Sequence, residues 1–218
     1  MPISIWNNNI AELYVGSNKI SSAYIWSSLV RSSFVAITDI AVVHDNSPFI
    51  TVYPWSSWFW TKYTDPWTLP TGNWLWVSFS PDWADIAVAH EASPRITVYP
   101  WSSWFWTKYT DPWTIPPGPW YWVSFSPDWT DIAVAHDFSS RITVYPWSSW
   151  FGTKYTDPWI TPTGTWYWVS FSPDWADIAV AHDFSPYITA YPWSSGFWTK
   201  YTNPWTLPTG DWLWVAFK

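Results

Sequence analysis

Four histidines, His44, His90, His136 and His182, recur at 46-residue steps, and each is followed by an acid: Asp45, Glu91, Asp137 and Asp183. An imidazole beside a carboxylate is the pairing of acid–base catalysis and of metal ligation. Four copies round a ring would make a pseudo-fourfold imidazole site able to hold a metal ion. The spacing equally fits one structural hydrogen bond per repeat at a strand end, and a residue meeting the same local need in every copy favours that account. Asp82, Asp128 and Asp174 sit in Ser-Pro-Asp turns, where a carboxylate can accept local backbone amides. Asp65, Asp111 and Asp157, with Asn203 in the fourth copy, precede proline and read as turn residues. Lys62, Lys108, Lys154 and Lys200 read as a solvated face. A catalytic centre brings different groups with separated pKa values to one place, which identical copies do not supply. A Gly-rich phosphate loop, a nucleophile elbow and zinc spacing are all missing. The expectation is a chain with no catalytic, cofactor-binding or metal-binding residue, and not an enzyme.

The elements that carry these residues repeat with them. Tyr53, Tyr99, Tyr145 and Tyr191 keep the same 46-residue step, a length that suits a four-stranded propeller blade. Within one unit, residues 76–80, 85–90, 95–101 and 105–110 alternate with period two, as strands do. Ile86 and Val88 share one face of the second segment, and Ile96 and Val98 one face of the third. Ser-Pro-Asp, Glu-Ala-Ser-Pro and Trp-Ser-Ser are the turns, and Thr-Asp-Pro opens the long connection. Pro100 ends its strand or turns a missing amide away from a partner. A sustained 3.6-residue apolar stripe is lacking, so helices are not expected. The expected fold is an all-β propeller of four 46-residue, four-stranded blades over residues 34–218, with units starting near 39, 85, 131 and 177. The segment Trp212–Lys218 reads as a strand that completes the first blade and closes the ring. A half-ring completed by oligomerisation, or a fragment of a longer array, is the competing arrangement. Residues 1–33 hold a smaller repeat, Tyr14-Val-Gly-Ser17 against Tyr24-Ile-Trp-Ser27, expected to form a β hairpin or appendage.

The chain contains 27 Trp and 21 Pro against 7 Gly, far from ordinary usage. Trp58, Trp104 and Trp150 correspond to Gly196; Trp60, Trp106 and Trp198 correspond to Gly152; Trp26 corresponds to Gly16. A packed site does not take both the largest and the smallest residue. Trp83, Trp129 and Trp175 end Ser-Pro-Asp-Trp turns, where a positive φ calls for Gly. UGA and UGG differ from Gly codons by one base, and some genomes read UGA as Gly. The Trp at positions of the 58, 60, 67, 74, 76 and 83 type, together with Trp26, are therefore candidates for misread Gly codons. Trp55, Trp101, Trp147 and Trp193 never alternate with Gly and read as genuine. The rival account keeps every Trp and makes them aromatic platforms for sugars.

Val77-Ser-Phe-Ser-Pro-Asp-Trp83, then Asp85-Ile-Ala-Val-Ala-His90 and Ile96-Thr-Val-Tyr99, resemble the WD-repeat-like propeller family. Trp83 stands where that family has Gly, and neither its Trp-Asp dipeptide nor its Gly-His is present, which puts the family's Asp-His network in doubt. The N-terminal Tyr-Val-Gly-Ser-Asn-Lys-Ile looks like short repeats of bacteriophage tail and virion-associated proteins. These resemblances imply a non-catalytic, phage- or prophage-derived binding or structural module, with a carbohydrate-binding adhesion module as the alternative if the Trp are genuine. The implied partner is a protein or virion component, or a surface glycan, with a homo-oligomer if the ring is incomplete. A net charge of −7 argues against nucleic acid, and no apolar stretch approaches the roughly 20 residues of a membrane span. A cationic n-region followed by an apolar h-region is not found at the start, so a virion or the cytoplasm is the expected location.

Overall fold

The computed structural model describes residues 14–15, 18–19, 22–25, 28–32, 38–72, 76–118, 122–164, 167–208 and 215–217. Every described element is a β-strand. Near the N-terminus, β1 (Tyr14–Val15) pairs with β2 (Asn18–Lys19), and β3 (Ser22–Ile25) pairs with β4 (Ser28–Ser32). Each Tyr-x-x-Ser repeat thus opens a hairpin of its own, rather than the two sharing Asn-Lys-Ile-Ser as a turn. Trp26 lies outside the described residues.

The repeats then follow as antiparallel sheets. The first has two strands, β5 (Thr38–Val43) and β6 (Ile50–Trp55). The others have three each: β7 (Trp76–Phe79), β8 (Asp85–Ala89) and β9 (Ile96–Pro100); β10 (Trp122–Phe125), β11 (Asp131–Ala135) and β12 (Ile142–Pro146); β13 (Tyr167–Phe171), β14 (Asp177–His182) and β15 (Ile188–Pro192). The sheets pack face to face in chain order, and the middle strand is covered on both sides. Ile86 and Val88 pack toward the first unit, while Ala87 and Ala89 pack toward the third. The period-two alternation of large and small residues therefore sets the spacing between sheets.

Two expectations need correction. Residues 105–110 do not form a fourth strand. Phe105 makes one isolated bridge to Trp101, and the amides of Trp106 and Tyr109 reach the carbonyls of Pro100 and Val98 at 3.2 and 2.9 Å. Those two bonds are out of step by one residue, so the segment runs beside the third strand with a bulge. Nor is the ring closed by Trp212–Lys218. Residues 209–214 and 218 lie outside the described residues, Val215–Phe217 are not in a strand, and the first sheet has two strands only.

Candidate functional site

Each histidine sits at the end of the strand that follows the Ser-Pro-Asp position of its unit, and for His90 and His182 both ring nitrogens are bonded without the neighbouring acid. His90 Nδ1 donates to the Ala92 carbonyl at 2.8 Å, which leaves Nε2 to accept from the Thr97 hydroxyl at 2.9 Å. His182 repeats this with Phe184 and Thr189, and His44 and His136 make the same Thr contact. Burial drives the imidazole pKa down to about 4 for His90 and about 3 for His136, and lowers that of His182. These are neutral strand-end rings. Among the described residues, no group of three metal-ligating side chains forms.

The turn acids behave locally. Asp82 Oδ1 accepts from Ser80 Oγ at 2.6 Å and from the Ala84 amide at 3.1 Å, and Asp128 and Asp174 do likewise. Lys62, Lys108 and Lys154 pair with Asp65, Asp111 and Asp157 three residues on, and Lys200 donates to Asn203 at 2.6 Å.

A second set of acids builds the seams between units. Asp85 accepts from Tyr109 OH at 2.9 Å within its own unit and from Trp147 Nε1 at 3.0 Å in the next. Asp39 holds Tyr63 and Trp101 in this way, and Asp131 holds Tyr155 and Trp193. Burial raises the carboxyl pKa of Asp85 and Asp131 despite the two donors. Asp177 has Tyr201 alone among the described residues, at 2.8 Å. This Asp–Tyr–Trp seam escaped the sequence reading. Its signal was there, in the fixed offsets of 24 and 62 residues.

One departure from the repeat places charge at one end of the sheets. The turns after the middle strands and the connections entering the inner strands meet at one end of the sheets, around the point where Trp76, Trp122 and Trp168 converge. Position 49 of the repeat is Phe49, Arg95, Arg141 and Tyr187 in the four units, and position 75 is Leu75, Tyr121, Tyr167 and Leu213. Arg95 Nη1 donates to the Gly118 carbonyl of the connection into the third unit. Arg141 Nη1 donates to the Asp137 carbonyl, and its guanidinium lies 5.5 Å from the centre of the Tyr167 ring. Tyr167 is buried and its hydroxyl donates to the Gly164 carbonyl; burial pushes its pKa up to about 12. Asp137 Oδ1 is buried without a hydrogen-bond partner among the described residues. It packs over Gly118 (φ 81°), where a Cβ would stand 2.7 Å from it. Burial raises the Asp137 carboxyl pKa, opposed by the charges of Arg141 and Arg95. Two half-buried guanidiniums, a desolvated carboxylate and a tyrosine thus share one end of an acidic protein. Sequence reasoning named Asp137 as the acid after His136 but passed over Arg95, Arg141 and Tyr167 because the uniform columns dominate; reading the columns where copies differ would have found the arginines.

Such an arrangement can hold an anion on the guanidiniums and take a proton at Asp137. No family model matches the chain, and no curated protein matches it. Solved structures do. A protein from Lactobacillus plantarum aligns with a TM-score of 0.55 at 18% identity, over 69% of this chain and 48% of that one. A protein from Bacteroides uniformis, provisionally named a 6-phosphogluconolactonase, aligns with a TM-score of 0.53 at 13% identity, over 74% of this chain and 53% of that one. The fold is of propeller type. The chain spans about half the length of these neighbours. The expectation of a non-catalytic, phage-derived module, and of a chain that is not an enzyme, is thereby corrected. A propeller neighbour carries the name of a lactonase, and Arg95 and Arg141, which the other units replace by Phe49 and Tyr187, stand near Asp137.

Proposed function

We propose that the chain binds a phosphorylated sugar acid or its lactone at the Arg95–Arg141 end of the sheets, and hydrolyses the lactone there. The observation that carries this reading is the convergence of Arg95, Arg141 and Asp137 at one end of the sheets, with both arginines in a column that otherwise holds Phe49 and Tyr187. Guanidiniums match the planar oxygens of phosphate and carboxylate better than lysine does, and the repeats hold no other arginine. In the proposed step, the Asp137 carboxylate takes a proton from water as its oxygen attacks the lactone carbonyl. The ring ester bond breaks, the alkoxide leaving group is protonated, and a hydroxy acid results. A guanidinium beside the carbonyl oxygen would stabilise its developing charge. The likeness to a provisionally named 6-phosphogluconolactonase supports the substrate class. Following hydrolysis of 6-phosphogluconolactone above its spontaneous rate tests the reading. Asp137→Asn should abolish the excess rate with little change in KM, and Arg95→Met with Arg141→Met should raise KM. An unchanged rate in Asp137→Asn would overturn it.

We also propose that the WD-repeat-like units belong to a larger ring than four, completed by a second copy of the chain. Three seams bury an Asp–Trp bond, and Asp177 presents the same acceptor a fourth time. Trp55 of another copy stands at the matching donor position. The length of the neighbours, about twice that aligned here, supports a ring of this size.

A further inference from the structure

The tryptophans fall into buried and exposed columns. Trp101, Trp147 and Trp193 are 5% exposed, and each donates its indole N–H to a seam aspartate. Their column never contains glycine. The 58-, 60- and 83-type indoles are 50–66% exposed, and the 67-type indoles are 98–106% exposed. Thirteen of the largest apolar side chains therefore face water, and the 60-type indole N–H groups reach only the exposed hydroxyls of Ser56, Ser102 and Ser194 four residues back.

We infer that at these positions, and at the 76-type position, the folded protein carries glycine, with UGA codons decoded as Gly. Three observations support this independently of exposure. Trp83, Trp129 and Trp175 have φ of 62°, 66° and 62°, in the left-handed region where a Cβ is strained and glycine is not. Each follows a Pro-Asp pair, and its amide returns to the serine three residues back at 2.9–3.0 Å. A turn followed by a left-handed residue favours glycine, although the same geometry carries side chains at Phe49, Arg95, Arg141 and Tyr187.

The second observation is a close approach. Gly152 sits against Pro146, and a Cβ there would lie 2.9 Å from the proline Cβ. Its amide reaches the Pro146 carbonyl at 2.9 Å. The equivalent bonds of Trp60, Trp106 and Trp198 are stretched to 3.2, 3.2 and 3.3 Å. The segment thus lies closer to its strand at Gly152 than at the three tryptophans.

The third is at the axis. The ring centroids of Trp76 and Trp122 are 3.1 Å apart, and those of Trp122 and Trp168 are 2.8 Å apart with planes tilted by 33°. Carbon atoms rest at about 3.5–4.0 Å, and aromatic pairs favour centroids about 4.5–7 Å apart. The inner strands have no room for three indoles. With glycine there, the axis beneath Arg95 and Arg141 opens, although the inference does not rest on the function proposed for that end.

Peptide mass spectrometry of the protein isolated from its native cells, read beside the codons, tests this directly. Glycine in the peptides covering positions 83, 129, 175, 60, 106 and 198, with UGA codons, is the expected result. Tryptophan in those peptides, or UGG codons at them, would overturn the inference. Recombinant chains provide a second arm. The chain with glycine at the 58-, 60-, 67-, 76- and 83-type positions should unfold cooperatively at a higher temperature than the tryptophan chain. A lower Tm for the glycine chain would count against the assignment even if the codons were UGA.

Discussion

Burial shifts Asp137 and the three buried histidines in opposite directions. Burial holds the Asp137 carboxyl above the usual carboxylate range. A base must be ionised to work, so the rate of lactone hydrolysis should rise with pH along a limb displaced upward from an ordinary aspartate, as a pH–rate profile would show. The histidines set stability instead. Their folded pKa values fall below the ordinary 6.5, to about 4 for His90 and about 3 for His136. Folding therefore excludes the proton, and the stabilising effect is complete above pH 6.5. It is lost as pH falls from there through the folded values. Thermal unfolding followed between pH 7 and about pH 4 should show Tm falling, and His136→Gln should flatten that limb. At the 83-type turns, Trp83→Gly in a tryptophan-bearing chain should raise stability by about 0.5–1 kcal/mol in a denaturant titration, the relief of a left-handed Cβ less the extra chain entropy of glycine.

The strands and their turns were largely legible from sequence, because short-range alternation and Ser-Pro-Asp chemistry fix them locally. Ile86 with Val88, and Ile96 with Val98, fall on the faces that their spacing implies. Residues 105–110 were misread as a full strand. Their alternation persists through a bulge, and pattern alone does not register which carbonyl each amide reaches. The seams were missed for a different reason: Asp85 and Trp147 lie 62 residues apart, and only packing of one unit on the next brings them together. A seam prediction follows. Asp85→Ala leaves the buried Trp147 N–H and Tyr109 OH without their acceptor, at about 1–3 kcal/mol for each group left unsatisfied. Asp82→Ala, which removes bonds only within its own turn, should cost clearly less in the same urea titration. Equal losses would contradict the seam account.

At the scale of the whole molecule, the sheets stack in chain order with their inner strands toward a common axis, and the array is half the length of its propeller neighbours. Completion by a second copy predicts a species of twice 25.6 kDa in sedimentation, dissociated by Asp177→Ala; a chain that sediments as a monomer at micromolar concentration would contradict it. Function was the least legible property in the sequence. Fourfold uniformity argued against chemistry, and the departures that matter amount to Arg95 and Arg141 in a column that otherwise holds Phe49 and Tyr187. The most direct test of the proposed site is calorimetric titration of the folded chain with a phosphorylated aldonic acid at low ionic strength. Saturable binding, weakened about tenfold or more by Arg141→Met and lost in the Arg95→Met/Arg141→Met chain with unfolding unchanged, is the predicted result. Binding that is undiminished when both guanidiniums are gone would contradict it.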